Sequence, residues 1–413
     1  MADVPKIRFK GFSDDWEQRK LGEILVSLQN NTLSRAELSK EKGIAKNIHY
    51  GDILVKYGEV LDVSKEELSM IADEKVLNKY SASFLQNGDV IMADTAEDST
   101  VGKCSEIAGL TDDVVISGLH TIPYRPKIKF ASGYLGYYLN SNAYHQQLIP
   151  LMQGIKVTSV SKSAMQNTDI IYPKSEEEQG RIGAYLKGIT RLITLHQHKC
   201  DEIIELKKHM LQKMFPQKGK KIPEIRFAGF TGDWEQRKLG AIFKERTERA
   251  TGDEELLSVT IGNGVIRQAD SVKRNIASED KSNYKIVRKG DVPYNSMRMW
   301  QGAVGNSEYD GIVSPAYTVL VPTAQANGKF FMELFKKEST LKIFQRWSQG
   351  LTSDTWNLKY PVLSSIEFYV PSIEEQTKIA ENFKSLDNLI TLYQRKCDEL
   401  VKLKKYMLQN MFV

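Results

Sequence analysis

The sequence predicts an α+β chain built as an internal repeat: two mixed domains, each followed by one long helix. Three observations predict it. The segment PKIRFKGFSDDWEQRKLG (5–22) returns as PEIRFAGFTGDWEQRKLG (223–240), with fourteen of eighteen positions identical. The segment ITLHQHKCDEIIELKKHMLQKMF (193–215) returns as ITLYQRKCDELVKLKKYMLQNMF (390–412), sixteen of twenty-three identical. Between each such pair lie short β-type runs and turn residues that do not repeat in the same way. A period of this size is the first feature to read in a long chain, because it sets the architecture.

Composition bounds the answer. The chain has 413 residues, 41% of them hydrophobic and 26% charged, which excludes a disordered or fibrous protein. Length alone suggests two or three domains. No run approaches the roughly 20 apolar residues of a membrane helix. The opening MADVPKIRFKGF lacks the apolar stretch of a secretory signal. Cys104, Cys200 and Cys397 have neither disulfide-framework nor metal-ligand spacing and suit free thiols in a reducing cytoplasm. Residues 1–215 carry 27 basic and 28 acidic side chains and 216–413 carry 30 and 24, so the halves stand at −1 and +6. The second is the more committed to a polyanion.

Taken in order, each unit opens with a box that reads as a packed strand and turn, with Trp16 or Trp234 beside it. Arg19, Lys20, Arg237 and Lys238 read as solvated charges on that structural element. The middles, 23–172 and 241–370, share only echoes such as NGDV (87–90) and KGDV (289–292). Either the middles drifted while packing held the frame, or one frame carries two different jobs. Runs at 49–61, 87–94, 114–126 and 366–371 read as strands, and 133–149 and 328–347 carry helical periodicity. Gly51-Asp52, Gly88-Asp89 and Gly290-Asp291 read as turns at strand entrances. YPKSEEEQGRI (172–182) answers YVPSIEEQTKI (369–379), and each acidic start suits a helix N-terminus.

Apolar residues then recur every seven positions. Ile182, Ile189, His196, Ile203 and Met210 form one line, and Leu186, Ile193, Cys200, Lys207 and Met214 the other. Ile379, Leu386, Tyr393, Leu400 and Met407 run with Phe383, Ile390, Cys397, Lys404 and Met411 in the second copy. Matched seams over five heptads predict a coiled-coil pair. Each helix of about 40 residues would span roughly 60 Å. Pro216 and Gly219 stop the first helix, and 216–222 reads as a linker. The predicted division is 1–172, 173–215, 216–222, 223–370 and 371–413.

No phosphate loop, zinc-binding HExxH or CxxC pair, nucleophile elbow or dinucleotide fingerprint is present. Asp291-Val-Pro-Tyr294 superficially resembles an adenine-methyltransferase motif, but its strand-entrance setting makes it structural. What remains is polar and aromatic loop chemistry suited to nucleic acid. In the first unit the candidates are Thr95, Ser99, Lys103, Gln153, Lys156, Thr158 and Ser159. In the second they are Asn295, Arg298, Trp300, Gln301, Arg346, Ser348, Gln349, Thr352 and Ser353. Arg and Gln can read base edges with two hydrogen bonds, while hydroxyls and Lys anchor phosphates.

The IRFxGFxxDWEQRKLG boxes, the P(x)SxEEQxxI segments at 173–182 and 371–379, and the LKKxMLQxMF helix ends resemble those of the specificity subunit of type I restriction-modification systems. The resemblance covers essentially the whole chain. It implies two target-recognition domains on two long repeated helices that pair as an antiparallel coiled coil, with pseudo-two-fold symmetry. Each domain would read half of a split duplex DNA target, with the helices fixing the gap. The resemblance also implies two methyltransferase subunits bearing S-adenosylmethionine, motor-nuclease subunits using ATP and Mg, and no cofactor or catalytic residue in this chain. From the residues alone, a self-contained methyltransferase or nuclease, or a coiled-coil adaptor without DNA, stays open.

Overall fold

The computed structural model describes residues 4–251, 254–271 and 280–413. They form two compact units, Met1–Gln197 with Arg395–Val413, and His198–Gln394. Each long helix is therefore shared. Glu176–Lys213 starts in the first unit and ends in the second, and Ile373–Asn410 runs the other way.

The repeated motifs form one frame in each unit. In the first, strand Glu17–Lys20 pairs antiparallel with Asp169–Tyr172, which leads into the helix. In the second, Glu235–Lys238 pairs with Glu367–Val370. The box arginine closes the frame. Arg8 donates to both carboxylate oxygens of Glu178 at 2.6 and 2.9 Å, and Arg226 to both of Glu375 at 2.7 Å. The next residue ties the helix start to the domain. Gln179 donates to the Pro173 carbonyl and accepts from the Ala131 N–H; Gln376 donates to Pro371 and accepts from Asn327. Trp16 and Trp234 are buried beneath the ribbons. Arg19 pairs with Glu17, Lys20 with Asp169 and Arg237 with Glu235, as expected of charges that serve the frame.

The middles are mixed sheets with short helices. The first unit has a five-stranded sheet in the order Leu25–Ser27, Thr121–Pro126, Val90–Ala93, Cys104–Ala108, Val60–Asp62, and a three-stranded sheet. The second keeps a three-stranded core, Phe243–Glu245, Tyr317–Pro322 and Val292–Asn295, with two separate two-stranded ribbons. Helices occupy Tyr134–Leu139 and Asn142–Leu148 in one, Gly328–Lys336 and Glu338–Trp347 in the other.

Two expectations fail: residues 114–126 split into strands Val115–Ser117 and Thr121–Pro126 of different sheets, and a second run is not all strand. Residues 49–61 are not one strand: Tyr50–Val55 is a helix, followed by strand Val60–Asp62. His49 Nδ1 caps it by accepting the Gly51 N–H, and His49, Ile53 and Tyr57 are buried at four-residue spacing. A short apolar run does not distinguish the two periods, and the cap decides. The Gly51-Asp52 pair accordingly opens a helix. Gly88-Asp89 and Gly290-Asp291 do open strands. Asp89 accepts the Gln86 N–H and pairs with Arg125; Asp291 accepts the Arg288 N–H and pairs with Arg246. Tyr294 is fully buried and donates to the Leu358 carbonyl, so both ends of the 291–294 motif are structural.

In each unit the two helices run antiparallel. In the first, the Cys397 thiol donates to the Ile193 carbonyl, Lys404 reaches Glu59, and the C-terminal Met411 and Phe412 pack in the core with Ile182 and Leu186. In the second, Cys200 meets the Ile390 carbonyl, Lys207 lies over the Phe383 ring, and Met214 meets Asn382. The seam lysines are also anchors. Burial alone would lower the Lys207 ammonium, but Glu333 at 3.2 Å and Asp387 at 2.7 Å raise it above the usual lysine value.

Replacing Arg226 with Met leaves Glu375, whose side chain is 2% exposed, without its partner. Chemical denaturation should show a loss of about 3–5 kcal/mol; a change below about 1 kcal/mol would remove the pair from its place in the frame. A pH test is available in the first unit. Glu106 is buried and accepts the Gly133 and Gly136 N–H groups, yet burial raises its pKa from 4.5 to about 7. The folded state then holds a proton that the unfolded state releases earlier. Its contribution is full below pH 4.5 and falls away as pH rises to about 7, by about 3 kcal/mol at most. Glu106→Gln should abolish that slope in denaturation midpoints measured from pH 4.5 to 8; an unchanged slope would place it elsewhere.

Candidate nucleic-acid interface

The polar windows of each unit converge on one hairpin. In the first unit, Gln153 and Ser159 exchange backbone hydrogen bonds of 2.9 and 2.8 Å, and Thr158–Ser159 pairs with Thr95–Ala96. The Val160 N–H then donates to the Asp94 carbonyl at 2.9 Å. In the second unit, Gln349 and Asn357 exchange the same two bonds at 3.0 and 2.8 Å, and the Leu358 N–H donates to the Ser296 carbonyl at 2.9 Å. The hairpins are therefore equivalent in position, although QGIKVTS and QGLTSDTWN differ in length and content. Both are held by main-chain bonds, so their side chains are free to differ.

Around the first hairpin, Gln153, Lys156, Ser159 and Ser99 are exposed, and Thr95 and Thr158 half-buried. The Thr95 hydroxyl donates to Asp94, and His145 Nε2 donates to the Ser99 carbonyl. Lys103 does not join this face. Its ammonium donates to the Leu54 carbonyl at 2.8 Å, and burial lowers its pKa. Lys103 is thus an internal tie, a role that a sequence rich in surface lysines conceals.

Around the second hairpin, Arg298, Arg346, Gln349, Thr352 and Ser353 are exposed. Trp300, Gln301, Ser348 and Asn295 are half-buried. Arg298 is held by Gln301 at 3.1 Å, and the Trp300 and Trp356 rings meet edge to face at 5.3 Å. Trp300 donates to the Met297 carbonyl, and Ser348 to the Phe344 carbonyl. Asn295 and Arg298 also line an open cleft of about 830 Å³ with Ser258, Thr260, Asn263 and Gln268.

Those four cleft residues were not foreseen. Buried Leu257 and Val259 alternate with Ser258 and Thr260, which is the period-two signal that could have found two of them. His120 was also missed. It adopts φ 54°, in the left-handed region, with Nδ1 3.6 Å from Asp94 and its ring 5.2 Å from that of Tyr50. Ala316 occupies the matching place in the second unit, where its carbonyl accepts from Ser296 as that of His120 accepts from Asp94. No local pattern marks His120, because its position depends on how the strands pair. Among the described residues, no group of His, Cys, Asp and Glu side chains could hold a metal ion. No helix there is long and apolar enough to cross a membrane.

Two frames each present a differently furnished polar hairpin. A family profile described as the type I restriction modification DNA specificity domain matches residues 13–205 and again 231–402. The chain belongs to that family. Each match falls on one repeat, so the specificity domain occurs twice. A relative from Methanocaldococcus jannaschii, provisionally named the type I restriction enzyme MjaX specificity subunit, is 23% identical over 412 residues, covering 95% of this chain and 91% of its own. The MjaVIII specificity subunit of the same organism is 24% identical over 280 residues, covering 61% of this chain and 63% of its own. The crystal structure of a type I restriction-modification S subunit from M. genitalium shares the fold, with a TM-score of 0.61 at 13% identity and 99% of both chains covered. The chain is accordingly a type I specificity subunit.

The two lysines of the first window should separate on measurement. Lys103→Ala should lower stability by about 1.5–3 kcal/mol, the value of a charged hydrogen bond, and Lys156→Ala should leave it within about 0.5. Equal effects in thermal denaturation would contradict the burial of Lys103.

Proposed function

We propose that this chain is the non-catalytic DNA-reading subunit of a type I restriction-modification complex, with each unit reading one half of a two-part duplex target. The observation that carries the reading is the pair of equivalent hairpins furnished with different residues. A drifted structural loop would have no reason to keep an exposed Gln at the head of the hairpin in both units, with Lys156 beside it in one and Thr352 and Ser353 in the other. In the second unit Arg298 is the foremost base reader, since Gln301 already holds its guanidinium. In the first, Gln153 and Lys156 lead, and Asp94 can accept from an exocyclic amine.

The shared helices supply the spacing. Each runs from one unit into the other, so the number of heptads between frames sets the distance between half-sites. A spacing near one turn of DNA, about 34 Å, lets two modest readers bind together. The outer faces of the helices suit docking. Leu192, Leu195 and Leu206 are exposed, and so are their counterparts Leu389, Leu392 and Leu403. Two matched apolar stripes fit two copies of one partner, the methyltransferase subunits, which bring S-adenosylmethionine. Motor-nuclease subunits with ATP and Mg complete the restricting assembly.

Expression with the methyltransferase partner, followed by sequencing of methylated genomic sites, tests the division of labour. Replacing 241–370 with another middle should change one half of the target and leave the other. A change in both halves would contradict it. Inserting one heptad within 182–210 should alter the gap or abolish methylation. Arg298→Ala should cost about 1–3 kcal/mol at one base position only; a lowered salt slope with sequence preference intact would make it a phosphate contact.

A further inference from the structure

We propose that Ile155 and Leu351 act as apolar wedges, each entering the base stack of one half-site. The inference rests on the DNA-reading assignment above and adds a mode of contact to it. Both residues follow a glycine at the first step of the hairpin. Gly154 has φ 110° and Gly350 φ 150°. A Cβ on Gly154 would collide with the Val157 carbonyl oxygen, and one on Gly350 would lie 2.6 Å from that of Thr355. The tight reversal therefore requires glycine in both units, and it turns the following side chain outward. Ile155 and Leu351 each show 102% relative exposure.

A single exposed aliphatic side chain needs no explanation. Two at the same register, in hairpins that otherwise share only Gln-Gly, do. Their neighbours narrow the partner. Lys156, Thr158, Thr352 and Ser353 offer donors to phosphates and base edges, but the aliphatic tip can gain only from an apolar surface. On duplex DNA that surface is the face of a base, reached by opening a step, as Leu and Ile side chains do in DNA-bending proteins. A protein partner fits poorly, because one side chain is far too small beside the 1,200 Å² or so of a specific protein interface.

The test uses the full chain with its methyltransferase partner and a duplex carrying the mapped target, with 2-aminopurine placed in turn along each half-site. The wild-type complex should raise fluorescence at a position in each half. Ile155→Ser should remove the rise in one half and Leu351→Ser in the other, each weakening binding about 10-fold, equivalent to about 1.4 kcal/mol. Leu351→Met should restore both. Thermal melts should match the wild type, since neither side chain is packed. Wild-type affinity in both Ser variants overturns the wedge. So does weaker binding with the fluorescence unchanged, which would mark a groove contact, or loss of the methyltransferase from the complex. Failure of the unmodified complex to bind the mapped duplex would instead overturn the DNA-reading assignment.

Discussion

The two arginine–glutamate forks, Arg8 with Glu178 and Arg226 with Glu375, are the contacts on which the rest depends. Each joins the opening box to a helix start, across 170 residues in one unit and 149 in the other. The geometry is two parallel charge-assisted bonds, which fixes orientation as well as distance. A lysine would hold neither. Because the fork needs both partners, box and helix start recur together in the sequence. The adjoining Gln179 and Gln376 extend the same wiring to Ala131 and Asn327, so the helix and the mixed domain are joined at one junction.

Around that junction the middles have diverged in sheet and helix content while keeping the hairpin in the same place. The strand-entrance aspartates Asp89 and Asp291 both hold a part-buried ion pair, but Arg125 lies on strand Thr121–Pro126 and Arg246 follows strand Phe243–Glu245. The side that carries helix Tyr50–Val55 in the first unit carries no equivalent among the described elements of the second, where Leu257–Thr260 and Gly264–Arg267 border a cleft. The bonds that seat the polar hairpin are main-chain bonds in both units. Such a design allows the exposed residues to change without disturbing the fold.

This pattern explains what was legible in the sequence. The frame could be read because its residues must repeat: Trp16 and Trp234 pack the ribbon, and Ile182, Leu186, Ile379 and Phe383 bury the seam. Some strands alternate, as at Asp169–Tyr172 and Leu257–Thr260, whereas Val90–Ala93 and Val115–Ser117 are buried on both faces and read only as apolar runs. The candidate windows lie together in each unit, since Gln153 and Thr95, or Gln349 and Asn295, sit on paired segments or beside them. Three features stayed hidden for physical reasons. The helix at Tyr50–Val55 depends on a histidine cap within an apolar run. The inward turn of Lys103 depends on the Leu54 carbonyl, a partner 49 residues away. The strained backbone of His120 arises from strand pairing, which no local pattern reports.

Site-directed photocrosslinking tests the central claim most directly. An unnatural photoreactive residue would replace Gln153 in one variant and Gln349 in another, each assembled with the methyltransferase partner on target duplex. Sequencing of the adducts would map the contacts. The account predicts that the first variant marks one half-site and the second marks the other, with the gap between adducts following the helix length. Adducts from both variants in the same half-site would contradict it, as would adducts arising instead from a control position such as exposed Lys65.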